Sequence, residues 1–294
     1  MKKIFSIVLM TAIFMTYFSA VPAYAEDSYV MKVVADGITT YYDNFGEGWA
    51  FAVETSEETP TVVTLYRDWY AGDTNSNGVI DSDETPGYFK YYNKDGDEVG
   101  TRKGALSVGD TDWAQTRYID FTLDLNGHTI SRNLEKPVAN GSVFYINCKT
   151  LYITDSSESQ TGKITGGYTT EYGGAFLIHN NGVVFIENCE ISGNYAQQRG
   201  GGIYIQGDKN GLSLNNVKIT GNKAEISGGG VSLLPEIGSS NDMETMYIGG
   251  DTVIWGNERF DGTQDNLYFK HYEGIYNDAE ELYIKQCMGQ SSDI

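Results

Sequence analysis

The sequence predicts an all-β protein folded as a parallel β-helix, a solenoid with about 27–28 residues in each coil. Three nearly identical triplets recur at spacings of 27 and 28 residues: Ile164-Thr165-Gly166, Ile191-Ser192-Gly193 and Ile219-Thr220-Gly221. Glycine clusters recur in step with them: Gly173-Gly174-Ala175, Gly200-Gly201-Gly202-Ile203 and Gly228-Gly229-Gly230-Val231. A fixed period of this size is typical of stacked repeats, which bury their apolar faces against their neighbours.

Short alternating runs between turn-forming residues supply the strands of each coil. These runs are Leu151-Tyr152-Ile153, Val184-Phe185-Ile186, Ile203-Tyr204-Ile205, Leu212-Ser213-Leu214 and Val231-Ser232-Leu233. Their two-residue period and their β-branched and aromatic content are typical of strands, and the breaks between them are Gly, Asn, Asp and Ser. No helical pattern fits between them, so each period predicts one coil of short strands and turns.

Two sets of polar residues recur along the chain, each at its own fixed position in the repeat. The first set is Asp155, Asn188 and Asn216, and the second is Asn194, Asn222 and Asn257. A single asparagine would be an ordinary turn residue. Recurrence at one phase favours ladders, in which each buried side chain bonds the equivalent residue one coil away.

The two ends of the chain are less regular. Residues 45–54 (FGEGWAFAVE) predict a short helix that covers the open end of the core with Trp49 and Val53 turned inward. Thr61–Trp69 alternates like a strand, and residues 70–115 are predicted as a long insertion between early strands. Residues 265–269 and 282–284 predict the strands of one further coil.

The first 25 residues predict a secretory signal peptide. Lys2-Lys3 precede an apolar stretch, and Ala23-Tyr24-Ala25 forms a small-x-small cleavage site; a transmembrane anchor is the alternative. No later stretch is apolar enough to span a bilayer. We therefore expect a secreted, extracellular protein, free or associated with a cell surface, with a cap and early strands at 26–115 and β-helix coils at 116–294. With no wall-sorting motif or membrane tail near Ile294, we expect either free secretion or a piece of something longer.

Composition narrows the classes of partner. The 294 residues carry 40 acidic and 20 basic side chains, a formal charge of −20. This charge argues against nucleic acid, anionic lipid and polyanionic sugar as partners, and it suits both solubility and divalent cations. Cys148, Cys189 and Cys287 are too few for a disulfide framework, so we expect buried thiols. The three histidines are far apart, and no Cys/His cluster has zinc spacing.

Residues 73–84 match the twelve-residue calcium loop at every position. The predicted ligands are Asp73, Asn75, Asn77, the carbonyl of Val79, Asp81 and Glu84. Ca²⁺ takes six to eight oxygens at about 2.3–2.6 Å. Gly78 allows the sharp turn, and Glu84 closes the site with both oxygens. The sequence therefore predicts calcium as a structural cofactor, with a solvated turn without an ion as the alternative.

The flanks of this loop differ from those of a helix–loop–helix EF-hand. A strand-like run precedes it, and Thr85-Pro86-Gly87 prevents an immediate helix after it. We expect a lone EF-hand-like or dockerin-like loop of weak affinity, with a dissociation constant of about 10⁻⁵ to 10⁻³ M. Asp95-Gly96 in a second acidic segment predicts a hairpin turn in preference to another metal site.

One segment carries a family resemblance. Residues 121–130 (FTLDLNGHTI) resemble the first-coil signature of right-handed parallel β-helix proteins of the pectate-lyase-like superfamily. The later Ile-Ser-Gly-Asn and Gly-Gly-Gly-Ile pattern is similar to polymorphic surface and adhesin-like secreted proteins of anaerobic bacteria. The resemblance covers residues 115–270 and implies a right-handed β-helix. It implies no single activity, because the superfamily includes lyases, hydrolases, adhesins and fibres.

The sequence favours binding over catalysis. It lacks the Gly-His-Gly and Arg-x-Lys segments of polygalacturonase-type hydrolases, as well as Gly-x-Ser-x-Gly and Gly-Lys-Ser/Thr. Tyr152, Tyr204, Phe144 and Phe176 are predicted to point out of the coil, where aromatic rings stack on sugars or on a partner protein. We expect a non-catalytic, adhesin-like module that binds a glycan or a host or bacterial surface protein. The alternative is a polysaccharide lyase or glycoside hydrolase of the β-helix type.

Overall fold

The protein is a β-solenoid of parallel stacked coils, as the repeat predicts. The computed structural model describes residues 29–75, 77, 79–93, 95–102, 104–109, 121–147, 149–206, 210–234 and 245–269. Within these residues the chain forms many short strands and a single helix, α1, which spans Phe45–Thr55. The predicted signal peptide and the predicted strand at 282–284 lie outside the described residues.

The strands build four stacked sheets and one hairpin. Sheet 1 has the order β2-β1-β3-β8-β11-β15-β19-β23, with β1 Met31–Ala35, β2 Ile38–Tyr42, β3 Thr61–Leu65, β8 Phe121–Asp124, β11 Thr150–Thr154, β15 Val183–Glu187, β19 Gly211–Asn215 and β23 Thr245–Gly249. Sheet 2 has the order β24-β20-β16-β12-β9-β4, with β4 Trp69–Tyr70, β9 Thr129–Ser131, β12 Lys163–Thr165, β16 Glu190–Ser192, β20 Lys218–Thr220 and β24 Val253–Trp255. Sheet 3 has the order β26-β22-β18-β14-β10-β7, with β7 Leu106–Val108, β10 Phe144–Asn147, β14 Phe176–His179, β18 Ile203–Gln206, β22 Val231–Leu234 and β26 Leu267–Phe269. Sheet 4 holds β13 Tyr168–Thr169, β17 Tyr195–Ala196, β21 Lys223–Ala224 and β25 Glu258–Arg259, and the hairpin pairs β5 Phe89–Tyr92 with β6 Glu98–Arg102.

One coil contributes a strand to each sheet in turn. Strands β15, β16, β17 and β18 belong to sheets 1, 2, 4 and 3, and the next coil repeats this path. Equivalent strands pair in parallel, so Ile164, Ile191 and Ile219 of the repeated triplets stack in one column of sheet 2. The glycine that ends each triplet has a positive φ, 66° at Gly193, and turns the chain toward the next sheet.

The core is a set of apolar columns between the sheets. In sheet 1 the inward column is Val63, Leu123, Ile153, Ile186, Leu214 and Ile248. Each of these side chains is at most 1% exposed. Because every coil adds one residue to each column, the core extends along the solenoid axis as the repeat predicts.

The second predicted asparagine ladder is confirmed. Asn194, Asn222 and Asn257 are fully buried, and Asn266 extends the series. Each Oδ1 accepts the backbone N–H of the ladder asparagine one coil earlier. Asn194 donates to Asn222, and Asn222 donates to Asn257, both at 3.1 Å. The ladder therefore satisfies buried backbone donors at a turn of every coil that it crosses.

The first predicted ladder is only partly correct. Asn188 accepts a 3.1 Å hydrogen bond from Asn216, and both have a positive φ. Asp155 acts differently, because its carboxylate accepts the backbone N–H groups of Gly127 and Gly162 at 2.7 and 2.5 Å. A carboxylate accepts only, so Asp155 closes the turn at Gly162 and binds Gly127 one coil earlier, but it does not continue an amide ladder.

Helix α1 covers the N-terminal end of the core, as predicted. Its first turn is capped by Asn44, which accepts the N–H of Glu47 at 3.1 Å. Trp49 is 6% exposed and contacts the rings of Phe121 and Phe144 at 5.4 and 6.0 Å between centroids. Val53, also predicted to face inward, packs half-buried against the core.

The first coil begins upstream of the repeats and contains an insertion that is shorter than the predicted 70–115, because β4 Trp69–Tyr70 and β7 Leu106–Val108 reach into those bounds as strands of sheets 2 and 3. Strands β3, β4 and β7 pair in parallel with β8, β9 and β10 of the next coil. The segment between β4 and β7 holds the acidic loop and the β5–β6 hairpin, whose turn lies at Asp95-Gly96 as predicted. The prediction of one strand over Thr61–Trp69 is wrong, because the chain turns after Leu65 and passes from sheet 1 to sheet 2.

Candidate functional site

The acidic loop folds around hydrogen bonds between its own side chains. Asp81 Oδ2 accepts the side-chain amides of Asn75 and Asn77 at 3.0 and 2.9 Å. Asp73 Oδ1 and Asn75 Oδ1 both accept the backbone N–H of Asn77 at 3.0 Å. Four of the predicted calcium ligands are therefore turned toward one another.

Glu84 closes the loop from its other end. Its Oε1 accepts the N–H and the hydroxyl of Thr74 at 2.5 and 2.6 Å, and its Oε2 accepts the N–H of Asp81 at 3.0 Å. Desolvation opposes the charge, but the hydrogen bonds from Thr74, Asp81 and Asn75 prevail and lower the pKa of Glu84. Glu84 is thus ionised and joins the first and last turns of the loop.

The residue types of the loop suit a calcium ion, but its side chains are not arranged around one. Among the described residues, no group of three or more His, Cys, Asp and Glu side chains is placed to hold a metal ion. An ion here would need the amide oxygens of Asn75 and Asn77, which now turn their nitrogens to Asp81. A half-turn of each amide would exchange nitrogen for oxygen, because the two ends have nearly the same shape.

The loop lies beside the capped end of the solenoid. A cavity of about 20 Å³, enough for one water molecule, separates its start from the beginning of α1. Asn44, Trp69, Asp73 and Phe89 line this cavity, and Asp73 is only 6% exposed. The loop therefore lies against the helix cap and outside the repeated coils.

Arg132 is a buried residue that contacts the insertion, and no sequence motif predicts its role. Its guanidinium is fully buried, donates from Nη1 to the carbonyl of Gly87 at 3.1 Å and lies 5.5 Å from the Phe89 ring centroid. Its Nε and Nη2 have no hydrogen-bond partner. Burial lowers the pKa of Arg132 to about 10. In the aligned coils, Arg132 occupies the position that the next coil gives to the turn glycine Gly166. This departure from the repeat is the one feature of the sequence that marks Arg132.

His128 has a structural role in a turn. Its Nδ1 lies 3.3 Å from Asp68 Oδ1, which also accepts the backbone N–H of Thr129 at 2.8 Å. Tyr70 donates its hydroxyl to the other oxygen at 3.1 Å. The hydrogen bond with His128 is the largest cause that lowers the pKa of Asp68, while partial burial opposes it. Asp68 thereby joins the turn of the first coil to that of the second.

Two of the aromatic residues predicted to face outward are in the core. Phe144 and Phe176 are fully buried and stack on each other at 5.1 Å. Tyr204 does alternate with inward residues, but it is 1% exposed and stacks on Tyr172 at 4.4 Å. Only Tyr152 is half-exposed, and it stacks on Phe185 at 4.8 Å. Of these four residues, therefore, only Tyr152 contributes an aromatic ring to the exposed surface, and it does so on sheet 1.

The outer face of sheet 1 carries a row without a charged side chain. We call it the outer row; in register, its members are Thr39, Val34, Val62, Thr122, Tyr152, Phe185, Ser213 and Tyr247. All eight are half-buried or exposed, and Tyr247 is 41% exposed. In a chain with a formal charge of −20, this uncharged row extends across all eight strands of the sheet.

Cys189 is the one predicted buried thiol that the structure describes. It is free and 3% exposed, and desolvation raises its pKa, so it packs as a small apolar side chain. Cys148 and Cys287 lie outside the described residues. In the part of the chain that the structure describes, no helix is long and apolar enough to cross a membrane.

No family model matches the chain, and neither a curated protein nor a solved structure matches it.

Proposed function

We propose that this protein is a secreted or cell-surface interaction module that binds through the outer row of sheet 1 and carries out no catalysis. The observation that supports this proposal is the row itself, which crosses all eight strands of sheet 1 without a charge. An uncharged, partly aromatic stripe on an acidic solenoid suits a neutral extracellular glycan or an uncharged patch of a surface protein.

Calcium has a structural role in this proposal. The ligands are Asp73, Asn75, Asn77, Val79, Asp81 and Glu84, and the loop that they form is packed against the cap of the core. An ion there would replace the hydrogen bonds within the loop and fix the insertion to the solenoid, and none of its ligands belongs to the outer row. Weak affinity suits an extracellular medium, where calcium is abundant.

Charge placed in the outer row tests the proposal. The purified protein is tested for binding to neutral and acidic polysaccharides and to bacterial and host cell surfaces, beside the variants Val62→Glu and Thr122→Glu. A carboxylate in the middle of the row should weaken binding by about tenfold or more, because it would be desolvated under the partner. Thr220→Glu is the matched control, since Thr220 is a half-buried strand residue on sheet 2.

If all three variants bind as strongly as the unchanged protein, the outer row is excluded as the binding surface. The same panel of polysaccharides tests the enzymatic alternative, since a lyase or hydrolase shortens its substrate. New reducing ends or new unsaturated products in the polysaccharides would contradict a non-catalytic module.

A further inference from the structure

The aromatic part of the outer row contains one interruption. Tyr152 and Phe185 lie on adjacent strands and stack with 4.8 Å between centroids and an interplanar angle of 10°. Register continues the row from Phe185 to Ser213 and from Ser213 to Tyr247. A small hydroxyl side chain therefore stands between two aromatic ones.

The width of this interruption follows from the sheet. Neighbouring strands are about 4.8 Å apart, so the backbones that carry Phe185 and Tyr247 are separated by about 9.6 Å. A ring placed above Ser213 would lie about 4.8 Å from each neighbour, within the range of about 4.5–7 Å that ring contacts prefer. This spacing repeats the stacking distance of Tyr152 and Phe185. The slot, defined by Phe185, Ser213 and Tyr247, is one ring wide.

The chemistry of the slot differs between its walls and its floor. The walls are aromatic, and the floor is the half-buried hydroxyl of Ser213. In register beside Phe185 and Ser213, two residues further along each strand, lie the exposed carboxylate of Glu187 and the half-buried amide of Asn215. A pyranose ring has apolar C–H faces and a hydroxyl edge, so it would meet apolar walls and polar hydrogen-bonding groups at once. An aromatic side chain from a protein would leave those polar groups without partners.

Charge narrows the ligand further. The outer row has no basic side chain to pair with a uronic acid, and the chain carries a formal charge of −20. An acidic polysaccharide would be repelled, whereas a neutral one would not.

We infer that the slot between Phe185 and Tyr247, above Ser213, binds one pyranose ring of a neutral polysaccharide. This inference rests on the proposed function and specifies its ligand class and its site. The ring stands on edge on the sheet, with Phe185 and Tyr247 on its two faces.

Filling the slot tests this inference directly. Binding is measured by affinity electrophoresis of the purified protein in gels containing xyloglucan, mixed-linkage β-glucan, galactomannan or arabinoxylan, with polygalacturonate as the acidic comparison. Ser213→Phe would continue the aromatic stack and occupy the slot with the protein's own ring. We expect it to weaken binding to the neutral polysaccharide by about tenfold or more, with no loss of thermal stability.

Two further variants keep the test independent of the folding of Ser213→Phe. Tyr247→Ser removes one wall and should also weaken binding by about tenfold. Trp255→Ser is the matched control, because Trp255 is 56% exposed and lies on the next strand of the same coil, on sheet 2. It should bind like the unchanged protein.

The outcomes separate the slot from the outer row. If Val62→Glu weakens binding but Ser213→Phe and Tyr247→Ser do not, the proposed function stands and the slot is wrong. Binding to protein surfaces without binding to any neutral polysaccharide overturns the slot as well. If neither the glutamate variants nor the slot variants change binding, both proposals fail.

Discussion

The side-chain amide of Asn222 donates a hydrogen bond to Oδ1 of Asn257 at 3.0 Å, across one coil of the solenoid. The same Oδ1 accepts the backbone N–H of Asn222 at 3.1 Å. Each amide in this ladder is thus held by the coil after it and holds the coil before it. Since all of these groups are buried, any break in the ladder leaves polar atoms that water cannot reach.

Removal of one amide from the ladder should destabilise the whole solenoid. In Asn222→Ala, the backbone N–H of Asn194 and the carbonyl of Ile191 lose partners that the structure places at 3.1 and 2.9 Å. We expect the free energy of unfolding to fall by about 1–3 kcal/mol, measured by urea denaturation. Asn215→Ala, at a half-exposed position on sheet 1, is the control and should change it by less than about 0.5 kcal/mol. Equal effects of the two substitutions would contradict a special role for the ladder.

The sequence predicted this ladder, but it could not predict the faces of every strand. Asn194, Asn222 and Asn257 each follow a glycine in a repeated segment, so their phase is fixed by the turn. Phe144-Tyr145-Ile146 has no alternation of polar and apolar residues, so its inward positions are decided by register with neighbouring coils. This is why the sequence predicts the wrong face for Phe144, which is buried.

The outer row and the burial of Arg132 could not be predicted from the sequence, for a different reason. The row joins eight residues from eight strands, and their alignment depends on registers that include two antiparallel pairs near the N-terminus. Arg132 is buried because the insertion folds over it, and nothing local to residue 132 encodes that cover. Contacts between distant segments decide both features.

The cap should contribute strongly to stability through one side chain. Trp49→Ala would open a cavity between α1 and the rings of Phe121 and Phe144. We expect a loss of about 3–5 kcal/mol in the free energy of unfolding, seen as a lower midpoint in urea. Glu54→Ala, on the same helix but on its exposed side, serves as the control. A loss below about 1 kcal/mol for Trp49→Ala would show that the core end is not sealed by α1.

Arg132 should be replaceable by an apolar side chain of similar length. Its guanidinium makes one hydrogen bond to Gly87 and leaves Nε and Nη2 without partners, so desolvation of the charge is only partly offset. Arg132→Met should therefore be neutral or raise the free energy of unfolding, by up to about 4 kcal/mol. Arg132→Ala is the comparison, because it removes the charge but leaves a cavity and should destabilise. Destabilisation by both variants to the same extent would show that the bond to Gly87 outweighs the burial of charge.

The turn between the first two coils should weaken in acid. The folded pKa of Asp68 is lowered, chiefly by its hydrogen bond with His128. The stabilisation is therefore complete above the unfolded pKa of about 3.9 and is lost as pH falls through the lower folded value. Asp68→Asn should be less stable than the unchanged protein at pH 6, and the difference should shrink below about pH 4. Thermal unfolding between pH 2.5 and 7 measures this, with Asp251→Asn as a surface control; a difference independent of pH would contradict the assignment.

Calcium should stabilise the protein through the acidic loop. A ligand that binds only the folded state at 100 times its dissociation constant adds about 2.7 kcal/mol, which raises Tm by about 5–10 °C in a chain of this size. Millimolar calcium reaches this ratio at the tight end of the expected range, about 10⁻⁵ M, and gives a smaller shift at weaker affinity. Thermal unfolding is compared in millimolar calcium, in magnesium and with chelator. Asp73→Ala and Glu84→Gln should abolish the calcium shift, because each removes a charged ligand, and Glu84 also holds the two ends of the loop together. Asp95→Asn, in the other acidic turn, should keep the shift unchanged.

A shift that survives in Glu84→Gln, or one that disappears in Asp95→Asn, would place the ion elsewhere. No shift in the unchanged protein would leave the loop as a turn held by its own hydrogen bonds, chiefly those of Asp81 and Glu84.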